Sequence, residues 1–470
     1  MTPAHLYILY IFFAFTIAGH LTLRSNSNFK FVTFILSLWI LAGSVLNSPY
    51  FIADFPFLPF DLQPSRLILI IFSIYYLATS ALESRTNKIE RKKIARPKFE
   101  IFLYIYILSS TLIGVFHTFQ ILSLKDLIVD STHIFTFLII FIMLKRYADE
   151  GMIRTFCKSL IIVCIISSLI SVYQFLINPT FFRLGSEREA FGGLLRANGI
   201  FHAEYIQSYF LISGILTTLF TVRSKLLKYT YIGFFLFGII FTFHRMSWLM
   251  TIFLFVMYLI VIKKIKFLPV ILSGGGLIIL ILMISPKIIP VVDVIRSSHL
   301  VEKRLLTDTI TFRFKIYKMV MDNISKRWVI GCGTRKSDIY YQGMMKVTAD
   351  KEWAKAEVGG IHNGYLHIMF LKGVPAVIIF LMFLIFGIFY FGQLISVKHI
   401  FYFIPLFEVS KFMLANMTNV FLLSGDLGLL LAIFIGVGVA VNKNNLDINK
   451  VIYNNRKRDY ENASSYVNQN

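Results

Sequence analysis

Charged residues are scarce in this chain. Asp, Glu, Lys and Arg make up 15% of its 470 residues, whereas roughly a quarter is usual in a soluble domain. Hydrophobic residues make up 57%, and apolar runs of about 17–25 residues recur from end to end, as membrane-spanning helices require. The alternation of polar and apolar residues typical of a membrane β-barrel is missing. The sequence therefore predicts an all-α polytopic membrane protein.

Several motifs that carry chemistry in other proteins are also missing. The three cysteines, Cys157, Cys164 and Cys332, have no metal-ligand spacing and do not suggest a disulfide framework. No G-x-x-x-x-G-K-[ST] sequence is present, which argues against ATP-driven chemistry. The first large external loop has only two acids, Asp54 and Asp61, and no D-x-D. We therefore expect neither a metal site nor a cofactor.

The formal net charge of +22 comes from Lys and Arg in short loops. Seven basic residues lie in the segment 85–98, and smaller clusters lie at 223–228 and 263–266. Basic loops between apolar segments follow the positive-inside rule, which places them in the cytoplasm. We interpret the charge as a topology signal and expect no nucleic-acid partner.

The apolar runs predict about 12–13 transmembrane helices in one membrane domain, residues 1–441. The predicted spans are 4–21, 31–47, 66–82, 99–117, 128–144, 158–177, 204–222, 228–243, 246–262, 267–285, 374–394, 400–418 and 426–441. The basic loops, among them 145–157, face the cytoplasm, and the loops 178–203 and 286–373 face the external side. Residues 442–470 are expected to be a disordered cytoplasmic tail. No basic segment precedes the first span, so a cleavable signal peptide is not expected.

The external loop 178–203 contains three arginines, although the positive-inside bias disfavours them there. Arg183 and Arg188 have glutamates close by, and local ion pairing is one interpretation for them. Arg196 has no adjacent acid and lies beside an Asn-Gly turn signal. We expect Arg196, together with Arg188, to contact the anionic part of a substrate.

Arg245 lies between two apolar runs that are together too long for a single crossing at about 1.5 Å per residue. The chain is therefore expected to turn tightly at His244-Arg245 on the external side. A charged Arg near membrane depth is costly and usually has a functional partner. An Arg at a helix end whose side chain snorkels to water is the alternative.

The segment 309–328, inside the long external loop, has the periodicity of an amphipathic helix that lies on the membrane or caps the spans. Arg313 falls near the middle of its apolar arc. An inward-facing Arg needs an anionic partner, because an unpaired buried charge is very costly. The apolar arc consists of Ile316, Tyr317, Val320, Met321, Ile324 and Trp328.

The stretch from Gly331 to Ala376 ends the longest polar segment and returns to apolar sequence at Ile361-His362-Asn363. A neutral His accepts a proton from a hydroxyl near neutral pH, and Arg side chains bind phosphate with paired hydrogen bonds. External arginines and one His therefore fit a lipid diphosphate donor whose pyrophosphate leaves as a hydroxyl attacks. A hydrogen-bonded His at a helix start is the alternative for His362.

Two short signatures carry a family resemblance. The sequence R-x-x-x-L occurs at Arg245–Leu249, and H-[NSQ]-x9-G-x-x-[GTY] is matched by His362-Asn363 and Gly373. The last position departs, because Ala376 stands where Gly, Thr or Tyr is expected. Arg313 also opens an amphipathic helix that ends in a G-x-G turn. With this ordered set, the chain resembles the bacterial O-antigen ligase and O-antigen polymerase superfamily.

The resemblance covers roughly residues 178–395 and implies a GT-C-type fold in the bacterial inner membrane, with the active site on the periplasmic side. It implies metal-independent, inverting glycosyl transfer from an undecaprenyl-diphosphate-linked glycan. Arg245 and Arg313 would hold the pyrophosphate, and His362 would be the general base on the acceptor hydroxyl. Asn363 would orient the sugar or the His ring.

The resemblance leaves three functions open. A polymerase joins lipid-linked repeat units, and the departure at Ala376 favours it. A ligase moves the finished glycan to lipid A-core. A transporter of the same lipid-linked sugar would not need a His beside external arginines. A glycan or lipid A-core acceptor, the lipid bilayer and a chain-length regulator protein are the expected partners.

Overall fold

The structure is a computed structural model. It describes residues 3–46, 67, 71–79, 97–120, 124–184, 189–191, 194–263, 308–325, 327–333, 361, 363–397, 399–421, 423, 425–444 and 446. Among the predicted sites, Arg188 and His362 lie outside the described residues, as does the predicted span 267–285.

The described residues form α-helices, a short 3₁₀ helix (Ile400–Tyr402) that precedes the twelfth α-helix, and one short hairpin. The helices are α1 (Pro3–Leu23), α2 (Lys30–Leu46), α3 (Lys98–Gln120), α4 (Leu124–Tyr147), α5 (Glu150–Leu176), α6 (Glu204–Thr221), α7 (Lys225–Phe241), α8 (Arg245–Val261), α9 (Asp308–Ile324), α10 (Gly364–Lys372), α11 (Val374–Val397), α12 (Phe403–Ala415) and α13 (Asp426–Lys443). Residues 71–79 are also helical. The antiparallel hairpin consists of β1 (Glu189–Phe191) and β2 (Leu194–Leu195).

The all-α polytopic prediction is confirmed. Five of the described helices are long and apolar enough to cross a membrane: His5–Leu23, Lys98–His117, Glu150–Leu176, Val374–Val397 and Asp426–Lys443. Two shorter apolar helices are Lys30–Leu46 and Arg245–Val261. The total of about 12–13 spans remains a prediction.

Helix α5 begins eight residues earlier than the predicted span 158–177. Asp149 caps it, because its side chain accepts a hydrogen bond from the backbone N–H of Met152 at 2.7 Å. The predicted loop 145–157 is therefore wrong, since α4 continues to Tyr147 and only two residues separate the helices.

Helix α12 is shorter than the predicted span 400–418 and does not face lipid. Its 13 residues extend about 20 Å at about 1.5 Å per residue, less than the roughly 30 Å of the hydrocarbon core. Nearly all of its side chains are buried, including Glu408 and Lys411. It lies inside the bundle against α6, α8, α11 and α13.

The two ends of α1 show which parts of the chain share a side. Near its start, the hydroxyl of Tyr7 donates to the carbonyl of Arg183 at 2.8 Å, within the loop predicted to be external. Just after its end, the hydroxyl of Ser27 donates to Asp149 at 3.0 Å. The start of α1 therefore lies with the loop 178–184, and its end lies with the short α4–α5 connection.

Candidate active site

The segment that follows α12, residues 416–421, is the centre of the candidate site. Asn416 is buried, its side-chain oxygen accepts from the N–H of Phe421 at 3.0 Å, and its side-chain NH₂ donates to the carbonyl of Phe412 at 2.9 Å. Its own carbonyl accepts from the N–H of Gly364 at 2.7 Å. These hydrogen bonds hold the segment and attach the start of α10 to it.

Asn363 begins α10 and attaches it to the same segment. Its Oδ1 accepts from the N–H groups of Tyr365 and Leu366, both at 3.0 Å, which is a helix N-cap. Its Nδ2 donates to the carbonyl of Met417 at 3.1 Å. The hydroxyl of Tyr365 donates to the carbonyl of Met413 at 2.6 Å. Both the oxygen and the nitrogen of the Asn363 side-chain amide are thus hydrogen-bonded.

The turn between α7 and α8 reaches the segment 416–421 from another direction. It lies at the position predicted for the turn at His244-Arg245, with Phe243 at a positive φ of 49°. His244 is the residue before α8, and Arg245 is the first residue of the helix and exposed. The side-chain NH₂ of Asn419 donates to Nε2 of His244 at 3.4 Å. The residue before Arg245 and the residue after His362 therefore contact one short segment.

His244 is held in its neutral form. Its pKa is lowered from 6.5 to about 4, chiefly by burial, while the charge of Glu204 opposes the shift and the charge of Arg196 adds to it. The hydrogen bond from Asn419 agrees with this, because a neutral imidazole nitrogen accepts. The rings of Tyr205 and Tyr209 lie 6.2 and 5.7 Å from the His244 ring.

Arg196 has an acidic partner after all. Its Nη1 lies 3.1 Å from Oε1 of Glu204 in the first turn of α6, and its carbonyl accepts from Nη2 of Arg183 at 2.8 Å. No acid is adjacent to Arg196 in the sequence, and the turn at Gly199, with φ of 55°, brings Glu204 of the next helix back to it. Arg183 also donates from Nε to the carbonyl of Pro179 at 2.9 Å.

The other end of α10 is attached to the chain that follows α9. The N–H of Cys332 donates to the carbonyl of Phe370 at 2.7 Å, and the N–H of Val374 donates to the carbonyl of Trp328 at 2.7 Å. Gly373 has a φ of 85°, and a Cβ built there lies 2.2 Å from the carbonyl oxygen of Val329. This close approach of two backbones explains why the motif has Gly at this position.

The amphipathic helix is present as α9, with a narrower buried face than predicted. Ile316, Val320 and Ile324 are buried and share a cluster with residues of α10. Met321 and Trp328, which were assigned to the apolar arc, are 53% and 57% exposed. Met321 lies at one edge of that arc, and Trp328 lies beyond the end of α9 at Ile324.

Arg313 belongs to α9, and its side chain lies outside the described residues. It precedes Ile316 by three positions and Val320 by seven, so it shares their helix face. That face packs on α10, which directly follows His362-Asn363.

Comparison with protein families gives one match, to the family model described as O-antigen ligase, over residues 230–381. The matched domain, residues 230–381, spans about a third of the chain. The resemblance to the O-antigen ligase superfamily is thereby confirmed. The domain includes the helices α8, α9 and α10. The match supports a membrane enzyme of the O-antigen ligase or polymerase type. Comparison with curated proteins gives no match.

A buried ion pair that was not among the predicted site residues lies on α12, which packs against α8 and α11. On α12, Nζ of Lys411 lies 2.6 Å from Oε2 of Glu408, and the hydroxyl of Ser213 on α6 donates to the other carboxylate oxygen at 2.7 Å. Lys411 also donates to the carbonyl of Tyr209 at 3.3 Å. The signal was the E-x-x-K inside an apolar run, because ionisable residues at membrane depth are usually paired and functional.

A small cavity of about 10 Å³ adjoins this pair and is lined in part by Tyr209, Glu408 and Lys411. That volume is close to the space for one water molecule. The Tyr209 hydroxyl has no hydrogen-bond partner among the described residues, and the Tyr209 ring contacts His244. Tyr209 therefore lies between the buried ion pair and the turn that carries Arg245.

A metal site is not found in the described part of the chain, where no group of three or more His, Cys, Asp or Glu side chains has a suitable arrangement. Ala376, the position where the ligase signature departs, is buried in α11. The structure thus joins the start of α8 and Asn363 to the segment 416–421 and packs α9 on α10, whereas Arg196 is engaged with Glu204.

Proposed function

We propose that the chain polymerises undecaprenyl-diphosphate-linked oligosaccharide repeat units of O antigen or a related surface polysaccharide. The observation that carries the proposal is the meeting of the α7–α8 turn and the start of α10 on the segment 416–421. It joins the two signatures of the O-antigen ligase domain, R-x-x-x-L and H-[NSQ]-x9-G, at one end of the bundle.

The donor pyrophosphate is placed at Arg245 in this proposal. Arg245 is exposed at the first position of α8, where the positive end of the helix dipole also favours an anion. Arg313 contributes a second cation from the helix face that packs on α10. Together they stabilise the negative charge that grows as the bond to the anomeric carbon breaks.

His362 acts as the general base. Both of its sequence neighbours are anchored, because Ile361 is buried in the cluster formed with α9 and α10, and Asn363 is hydrogen-bonded to Met417. The acceptor hydroxyl oxygen attacks the anomeric carbon, its proton passes to His362, and the carbon–oxygen bond to the diphosphate breaks. The lipid diphosphate leaves with the electron pair, and attack from the opposite face inverts the anomeric configuration.

Asn363 is a positioning residue in this mechanism, because its amide is occupied by the helix cap and by Met417. Arg196 acts on the substrate with the part of its guanidinium that Glu204 leaves available, since its side chain is 31% exposed. Arg188 is proposed to contact the same substrate.

In this mechanism the arginine side chains take the place of a metal ion. Chelation by EDTA should therefore leave transfer intact. Inhibition by EDTA that magnesium reverses would contradict the metal-independent mechanism.

A ligase that transfers the glycan to lipid A-core is the second candidate, supported by the description of the matched family. The departure at Ala376 favours the polymerase. In either case we place the enzyme in the bacterial inner membrane with the site on the periplasmic side. A chain-length regulator protein is a proposed partner of the polymerase.

Deletion of this gene, in a strain that carries no second copy of it, separates the two functions. Loss of a polymerase leaves single repeat units on lipid A-core, whereas loss of a ligase leaves long glycan on the lipid carrier. We expect single repeats on the core, restored to a ladder by the wild-type gene. Long glycan retained on the carrier would contradict the polymerase and support the ligase.

A further inference from the structure

A second cavity lies at the other end of the bundle, between the end of α1 and the start of α5. Its volume is about 350 Å³, within the range of ligand-binding pockets. Ser27 and Asp149 are hydrogen-bonded to each other. In the sequence they are close to two residues that line the cavity, Asn26 and Gly151. The short α4–α5 connection is also on this side, opposite the end of α1 that contacts Arg183. The cavity is therefore remote from the candidate active site.

The cavity is lined by cations. Arg24 comes from the end of α1, Arg154 and Lys158 come from α5, and His20 lies one turn before Arg24. No Asp or Glu is among the described residues that line it. Within the described part of the chain, neither Arg24 nor Lys158 forms an ion pair with a carboxylate.

Asp149, the acid that caps α5, is already hydrogen-bonded to other groups. Asp149 accepts hydrogen bonds from the N–H of Met152, the hydroxyl of Ser27 and the N–H of Asn28, at 2.7, 3.0 and 2.8 Å. Arg154 and Lys158 are four residues apart on α5, and Arg24 lines the cavity from the end of α1. An anion in the cavity would contact cations from both helices and bridge α1 to α5.

The surroundings favour a lipid as the source of that anion. Leu23, at the end of α1 beside Arg24, is 81% exposed, as expected for a side chain that faces acyl chains. Lys158 lies two turns inside the apolar helix α5 and has a stem long enough to reach the headgroup level. Basic pockets between membrane helices on the cytoplasmic side bind anionic headgroups.

We propose that this cavity binds the phosphate of an anionic phospholipid, with Arg24, Arg154 and Lys158 as its cationic contacts. The bound lipid would fix the ends of α1 and α5 against each other. The site is independent of the proposed glycosyl transfer, because it contains none of the residues assigned to that chemistry.

The test uses the purified full-length protein and a short-chain, water-soluble phosphatidylglycerol, with binding followed by isothermal titration calorimetry. Arg24→Gln/Lys158→Gln removes two exposed cations of the cavity. Lys225→Gln/Lys263→Gln removes the same charge from loops on the same predicted side and is the matched control. Short-chain phosphatidylcholine and inorganic phosphate are titrated in parallel, and the melting temperature of each variant without lipid reports folding.

We expect the cavity variant to bind phosphatidylglycerol roughly thirtyfold more weakly than wild type, and the control variant to bind it within about twofold of wild type. Phosphatidylcholine should bind far more weakly than phosphatidylglycerol. Equal affinities in wild type and cavity variant, or equal losses in both variants, would overturn the proposal. Inorganic phosphate that binds as tightly as phosphatidylglycerol would overturn the lipid as the source.

Discussion

The amide nitrogen of Asn363 donates to the carbonyl of Met417 at 3.1 Å, while its amide oxygen caps α10. This one side chain therefore joins the residue after His362 to the segment that also contacts His244. The position of α10 relative to Arg245 depends on that link.

Asn363→Ala removes both the cap and the bond to Met417, and a lost cap costs about 1 kcal/mol. We expect kcat to fall roughly tenfold or more with KM nearly unchanged, since the loss is one of positioning. Steady-state transfer kinetics provide the measurement. Ser224→Ala, which removes the cap of α7 remote from the site, is the control. A raised KM with normal kcat would instead show that Asn363 binds the sugar.

Gly373→Ala should separate α9 from α10. The new Cβ would lie 2.2 Å from the carbonyl oxygen of Val329, and the residue has a φ of 85°. We expect a loss of about 1–3 kcal/mol from backbone strain alone, together with reduced transfer. Gly392→Ala is the matched control, because a Cβ there meets nothing within 4 Å. Equal melting temperatures of the two variants would show that the close approach is not required.

Lys411→Met should destabilise the bundle strongly. It leaves Glu408 buried with only Ser213 as a hydrogen-bond donor, and breaking such a pair costs about 3–5 kcal/mol. The double variant Glu408→Leu/Lys411→Met removes both charges and should recover much of that loss. Unfolding in denaturing detergent measures both. A double variant that is less stable than the single variant would contradict the compensation.

His244 should make stability depend on pH. Its pKa is lowered from 6.5 to about 4 in the folded protein, so the unfolded chain binds more protons in that interval. The folded state therefore loses up to roughly 3 kcal/mol as the pH falls from 6.5 toward 4. His244→Asn should flatten this dependence when unfolding is measured at pH 5 and pH 7. An unchanged slope would show that His244 is not buried in its neutral form.

Much of the fold is predictable from the sequence, because long apolar runs determine where membrane helices lie. The predicted span 204–222 and the helix Glu204–Thr221 agree within one residue. The start of α5 lies outside the predicted span, because its first turns contain Glu150 and Arg154, which an apolar pattern excludes. The apolar composition of the buried α12 predicts a span, since composition does not distinguish lipid from protein surroundings.

The candidate site was predictable only in part. Arg245 and Asn363 are predicted as site residues because polar groups at the ends of apolar runs are conspicuous in sequence. Arg313 is predicted because a charge on the apolar arc of an amphipathic helix is equally conspicuous. The pairing of Arg196 with Glu204 was not predicted, because it depends on a positive-φ turn at Gly199. The segment 416–421 has no distinctive motif, and its role follows from backbone carbonyls, which sequence does not reveal.

The most direct test of the account is transfer by purified His362→Ala in an assay with lipid-linked repeat units as both donor and acceptor. His399→Ala, a helix-capping histidine remote from the site, is the control for folding. The account predicts that His362→Ala has no detectable transfer at wild-type protein level and melting temperature, while the control remains active. Transfer at the wild-type rate by His362→Ala would contradict the assignment of the base and, with it, the proposed site.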